Sequence, residues 1–166
     1  MERTPFEPPL SDDELKELGR LVVNCGFVEF LLGTHAGMLL EIPHFARLHL
    51  VNPLSTRRKI DILTGGLDKI PKAKTRSLVE EGCKLASPTI RERNLLLHGI
   101  WGFESDKPDS KVVVGSTKGT ADRLFPENIT KTADVLAVAS RNLFDALVVD
   151  TGGKLGEKQE RLVVKL

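Results

Sequence analysis

The sequence predicts an all-α fold: an antiparallel bundle of four to five helices with one small β-hairpin. Three observations carry that reading. Apolar residues recur at steps of three and four through several long segments. Pro, Gly and Ser punctuate the chain where those segments should begin and end. Only one stretch, 100–115, offers two short runs with a β-branched triplet, Val112-Val113-Val114. The 166 residues are 40% hydrophobic, enough for one domain with a sizeable core.

The elements follow in order. Residues 1–10, with Pro5, Pro8 and Pro9, read as an irregular lead-in. Ser11-Asp12-Asp13-Glu14 is a capping-box signature, and its acidic first turn suits the positive end of a helix dipole. Leu15, Leu18, Val22, Cys25, Val28, Leu32 and Leu39 then mark the inward face of a long first helix. It runs to about Leu40, with Gly33 and Gly37 as places to bend and Pro43 as its stop. Phe45 to Asn52 is a connection or short helix. Pro53 and Ser55 open a second helix with Ile60, Leu63 and Leu67 on one face. A third helix follows Pro71, and Pro88 should kink or restart it with Ser87 as cap. The restarted piece, Thr89 to His98, stops at Gly99, read as a left-handed C-terminal glycine.

The predicted hairpin joins Ile100–Glu104 to Lys111–Gly115, and Gly115 to Thr120 reads as a loop at its end. A stripe from Ile129 through Ala133, Leu136, Ser140, Leu143 and Leu147 gives a last helix over about Asn128 to Val149. The domain therefore spans 11–150, and 151–166 is a polar tail. Leu162 to Val164 reads as a late strand or a frayed end.

Charge and composition exclude several function classes. Lys and Arg total 24 against 23 Asp and Glu, a formal net charge of +1. A basic nucleic-acid coat and an acidic tail are both excluded, while a local basic site is not. Cys25 and Cys83 are far apart and form no CxxC pair, so they read as buried free thiols of a cytoplasmic protein. No secretory signal and no membrane span is expected. His35, His44 and His49 lack metal-ligand spacing, so neither metal nor cofactor is expected. Arg57-Arg58-Lys59 adds a positive spot, read first as a solvated face.

The most informative segment is Thr89-Ile90-Arg91-Glu92-Arg93-Asn94-Leu95-Leu96-Leu97-His98-Gly99-Ile100-Trp101. On a helix, Arg91, Asn94 and His98 share one stripe. Arg93 lies about 140° around from His98. It can join His98 only through its long side chain, a distorted last turn or a neighbouring subunit.

Arg93-Asn94-Leu95-Leu96-Leu97-His98 resembles the Arg-polar-x-x-x-His signature of the HEPN superfamily. Glu92-Arg93-Asn94 with His98-Gly99-Ile100-Trp101 is similar to a bacterial group within it. The resemblance implies a small helical bundle that acts as a metal-independent endoribonuclease. It also implies a homodimer in which two Arg-His motifs meet in one cleft, and a toxin–antitoxin or anti-phage setting with an antitoxin or defence partner. The alternative is a catalytically inactive HEPN-like module that binds a protein, an RNA or a nucleotide. A third reading is a small helical protein whose motif is coincidental, with Arg93 and His98 pointing apart and pairing locally.

The chemistry assigns roles. RNA is cut when its 2′-OH attacks the adjacent phosphate, leaving a 2′,3′-cyclic phosphate. His98 can move the proton, because imidazole titrates near neutrality. Arg93 stays charged and can bind the phosphate bidentately. Asn94 can orient His98 or the substrate. Arg91 is a second phosphate contact, and Glu92 is expected to pair with an arginine. Trp101 either stacks on a base or packs on the bundle. Glu29, a carboxylate inside an apolar stretch, must pair or stay near the surface, and Arg93 is a partner it can orient.

Overall fold

The computed structural model describes residues 9–104, 106–117 and 120–152. Most of the expected lead-in (residues 1–8), Ser105, Lys118-Gly119, and the polar tail from Gly153 with its expected late strand at Leu162–Val164 lie outside the described residues. Five helices and three strands run in the order α1 (Asp12–Leu39), α2 (His44–Leu50), α3 (Thr56–Gly65), α4 (Ala73–His98), β1 (Ile100–Glu104), β2 (Lys107–Thr117), β3 (Thr120–Leu124) and α5 (Glu127–Asp150). A 3-10 turn, Leu67–Lys69, links α3 to α4.

The capping box forms as the sequence predicts. Ser11 Oγ accepts from the Glu14 N–H (3.3 Å), and the Ser11 N–H donates back to the Glu14 carboxylate. The same carboxylate pairs with Lys111 Nζ (2.6 Å), tying the start of α1 to β2. Ser55 caps α3 through the Arg58 N–H (3.2 Å). α1 ends in a Schellman motif: the Ile42 N–H reaches the Gly37 carbonyl and the Glu41 N–H reaches Met38. Glu41 takes the left-handed position, φ 55°, that glycine usually fills.

Two expectations are corrected. Pro88 neither restarts nor breaks its helix, and Ser87 is no cap: α4 is one helix from Ala73 to His98. Thr89 Oγ1 donates to the Ala86 carbonyl (2.7 Å) beside the proline, and Pro88 itself faces solvent. The hairpin is a three-stranded antiparallel sheet, β1-β2-β3. Gly115 to Thr117 belong to β2, and Thr120 to Leu124 pair back on it. That third strand, Thr-Ala-Asp-Arg-Leu, carries no β-branched run to announce it. Gly33 and Gly37 lie within one continuous α1, where they make room for neighbouring side chains. A Cβ on Gly37 would lie 2.7 Å from Arg47 Cδ, and one on Gly33 would lie 3.2 Å from Asn52 Oδ1.

Cross-contacts fix the helix directions. Lys72 Nζ reaches the Val149 carbonyl, Gly82 meets Leu143, and Thr132 meets Glu92, so α4 and α5 run antiparallel. Asn24 Nδ2 reaches the Ala133 carbonyl and His35 Nε2 the Leu143 carbonyl, so α1 and α5 run parallel. α3 is parallel to α1 as well, with Thr56 beside Glu29 and Gly66 beside Leu39. The bundle is therefore not antiparallel throughout: α4 alone opposes its three neighbours. Parallel pairs need long crossovers, supplied here by α2 and by α4 with the sheet.

Leu21, Leu32, Leu63, Val79, Leu96, Ile129 and Leu143 form the centre of the core. Leu15 and Val22, expected inside, face out, and Leu21, Leu31 and Ala36 are buried instead. α1 is apolar nearly all round, so spacing alone did not fix its inward face. By length and hydropathy α1 could cross a membrane, but half of that apolar window is buried against the other helices. Lys59 is buried beside Gly33, its Nζ donating to the Asn52 carbonyl (3.1 Å); only Arg57 and Arg58 of that basic run are exposed. Cys25 and Cys83 are free and buried, and burial pushes their thiols up to about 11 and about 12.

Two predictions follow from these contacts. Glu41→Gly should raise the unfolding free energy by about 0.5–1 kcal/mol, the left-handed penalty less glycine's larger entropy loss, read from denaturant midpoints. His35 is buried, and burial lowers its pKa below the usual 6.5. Its neutral form therefore stabilises the fold above pH 6.5, and that contribution is lost as the pH falls through 6.5 toward the folded value. His35→Gln should flatten the dependence of Tm on pH between about 7.5 and 5.

Candidate functional site on the fourth helix

α4 buries Val79, Gly82, Cys83, Ala86, Thr89 and Leu96. That face sets the phase of the helix and so the direction of each motif side chain. Arg93 continues the line of Ala86 and points toward α1 and α3. Its Nη2 pairs with Glu29 Oε1 and lies 3.3 Å from Thr56 Oγ1. Thr56 Oγ1 in turn donates to Glu29 Oε1 (2.7 Å). The Arg93 side chain is 16% exposed and that of Glu29 38%. Glu29 thus meets the requirement that a carboxylate inside an apolar stretch be paired. Thr56 was not legible in advance, because a lone threonine in a first helical turn carries no signal.

The void beside this junction, lined by Cys25, Glu29, Thr56, Thr89 and Arg93, has a volume of about 10 Å³. It holds one water-sized group at most. Among the described residues, the space beside Arg93 is too small to seat a phosphate.

His98 lies on the other side of the helix. Arg91, Asn94 and His98 are all exposed, on the stripe that their spacing predicts. Neither Asn94 nor His98 makes a hydrogen bond or ion pair among the described residues. The last turn is regular, closed by the Gly99 N–H on the Leu95 carbonyl (2.7 Å). Of the three routes by which Arg93 could join His98, the distorted turn is absent and the long side chain is committed to Glu29. Within the chain Arg93 and His98 point apart and Arg93 pairs locally, the arrangement expected where the motif is coincidental; joining the two in one site takes a second copy of the chain.

Gly99 is not left-handed as expected: its φ is −75° and its ψ 168°. Space, not handedness, requires glycine there. A Cβ would lie 2.5 Å from the Leu95 carbonyl oxygen and 2.5 Å from Val113 Cγ2. Gly115 is close-packed in the same way, 2.4 Å from Leu95 Cδ1. Leu95 thus docks the sheet against the end of α4 and places Trp101, which pairs with Val113 in the ladder. Trp101 is half-buried and its Nε1 donates to the Leu96 carbonyl (3.2 Å). Glu92 faces α5 and accepts from Thr132 Oγ1 (3.1 Å); the ion pair with Arg93 belongs to Glu29. Among the described residues, no group of His, Cys, Asp and Glu side chains could hold a metal ion.

The outer face of α1 adds an apolar stripe. Val22, Val23 and Phe30 are 51%, 69% and 60% exposed, with open space at Gly19 and Gly26 on the same helix. Glu29, next to Phe30, stands at its edge.

A double-mutant cycle on Glu29→Gln and Arg93→Met should give a coupling energy of about 1–2 kcal/mol. That value lies between exposed and fully buried ion pairs, because only the guanidinium is largely enclosed. Compared with family models, curated proteins and solved structures, the chain matches none.

Proposed function

We propose that this chain is a HEPN-like, metal-independent endoribonuclease that works as a homodimer. The observation that carries the reading is His98. It is an exposed imidazole without a partner among the described residues, on one stripe with Asn94 and Arg91, at the end of a rigid, well-anchored helix. The Arg-Asn-x-x-x-His resemblance supplies the reaction class. His98 moves the proton of the attacking 2′-OH or of the leaving oxygen. Asn94, one turn away on the same stripe, is placed to orient His98 or the substrate. Arg93 exchanges Glu29 for the scissile phosphate when a second copy closes the site, and stabilises the charge that develops there. Trp101 packs against the core and is only partly exposed, so base stacking there is a minor contribution at most. The apolar outer face of α1 supports self-association, since Val22, Val23 and Phe30 are an exposed patch of the kind that marks protein contacts. A toxin or anti-phage setting comes from the resemblance alone.

A second reading, a non-cutting binding module, has its own observation. Arg93 is neutralised by Glu29 beside a void of about 10 Å³. The two are separated by RNA cleavage with purified protein in excess EDTA. For the enzyme, wild type leaves 2′,3′-cyclic phosphate ends, and His98→Ala lowers the rate by about 10²-fold or more. Arg93→Ala abolishes cutting while Glu29→Gln preserves it. A folded wild type that cuts none of a varied RNA set overturns the enzyme reading in favour of a non-cutting module. Cutting that survives His98→Ala overturns the assignment of this site.

A further inference from the structure

A second cavity of the bundle lies far from the Arg-His motif. It has a volume of about 390 Å³ and sits where the end of α1, the start of α4 and the end of α5 meet. Thr75 and His98 are 23 residues apart on α4, about 34 Å along the helix axis. A cavity of this size matches small-molecule sites.

Its lining is asymmetric. Leu39, Met38, Ile70 and Pro71 supply apolar walls. At the inner end sits Thr75, 3% exposed, whose Oγ1 is buried without a hydrogen-bond partner among the described residues. An unpaired buried hydroxyl is costly and rare in folded proteins. His35 also lines the cavity, and its Nε2 lies 2.8 Å from the Leu143 carbonyl. A carbonyl only accepts, so Nε2 carries the proton and Nδ1 is left as an acceptor. Two carboxylates, Glu41 and Asp150, and one cation, Lys69, are among the lining residues, and Lys72 Nζ is engaged nearby on the Val149 and Asp150 carbonyls. Acceptors therefore outnumber donors. Glu41 occupies a left-handed position where glycine would be free of strain. Strained residues of this kind cluster at ligand sites.

We propose that this cavity binds a small organic amine: an apolar body between the Leu39 and Ile70 walls, an ammonium group held by Glu41 and Asp150, and a polar substituent, where present, reaching Thr75. The site stands independently of the ribonuclease reading.

The test uses the intact protein with phenethylamine as probe and 2-phenylethanol as its neutral counterpart, followed by amide chemical shifts. Saturable shifts confined to 35–41, 69–75 and the end of α5 are expected for the amine. The alcohol should bind about tenfold more weakly, the value of a charged hydrogen bond. Asp150→Asn should weaken the amine by a similar factor. Glu41→Gly should melt higher yet bind the amine several-fold more weakly, a separation that a purely structural role for Glu41 does not produce. Equal binding of amine and alcohol would overturn the proposal. So would shifts elsewhere on the protein, unchanged affinity in both carboxylate variants, or no saturable shift up to the probe's solubility limit, which would leave the cavity to water.

Discussion

The phase of α4 is the constraint on which the rest of this structure depends. The helix touches α1, α3 and α5 and runs opposite to all three. Gly82 lets α4 approach α5 closely: a Cβ there would come within 2.7 Å of Leu143 Cγ. Once Gly82, Cys83, Ala86 and Leu96 face inward, the 3.6-residue period leaves no freedom for the motif. Arg93 must point between α1 and α3, and His98 must point to solvent. Pro88 does not interrupt this, so the phase set in the first half of α4 carries through to the motif in its second half.

That geometry divides the labour of the motif. Arg93, Glu29 and Thr56 form a polar junction where three helices meet, and they satisfy one another there. Leaving any one of them unpaired in so small a void would cost more than the contact itself gains. His98 and Asn94 carry no such structural duty among the described residues. Within one chain Arg93 and His98 form no joint site, and the proposed homodimer is what would have to supply it. The outer face of α1, with Val22, Val23 and Phe30 exposed, borders the junction through Glu29.

The sheet shows how close packing replaces backbone signals. Gly99 and Gly115 are both spent on Leu95, which lets β1 and β2 lie directly on the end of α4. This sets Trp101 against the Leu96 carbonyl and holds the strand that follows His98 immediately after the helix. The bulge between Phe103 and Glu104 then shifts the register of the outer half of the ladder.

The sequence by itself determined the local elements. The capping box at Ser11, the Ser55 cap, the long α1 and α5, and the exposed stripe of Arg91, Asn94 and His98 are all read from spacing, because each rests on contacts within four residues. It also marked Glu29 as a carboxylate in need of a partner and Arg93 as one partner it could take. Tertiary structure alone decided which face of α1 turns inward, since an all-round apolar helix has no preferred side until its neighbours arrive. It decided that α1 runs parallel to α3 and α5, that α4 passes through Pro88, and that Thr120–Leu124 completes the sheet. It also brought Thr56 to Arg93, and His35, Glu41, Thr75 and Asp150 to one cavity. Those residues are distant in the chain, and no local periodicity records a contact between them.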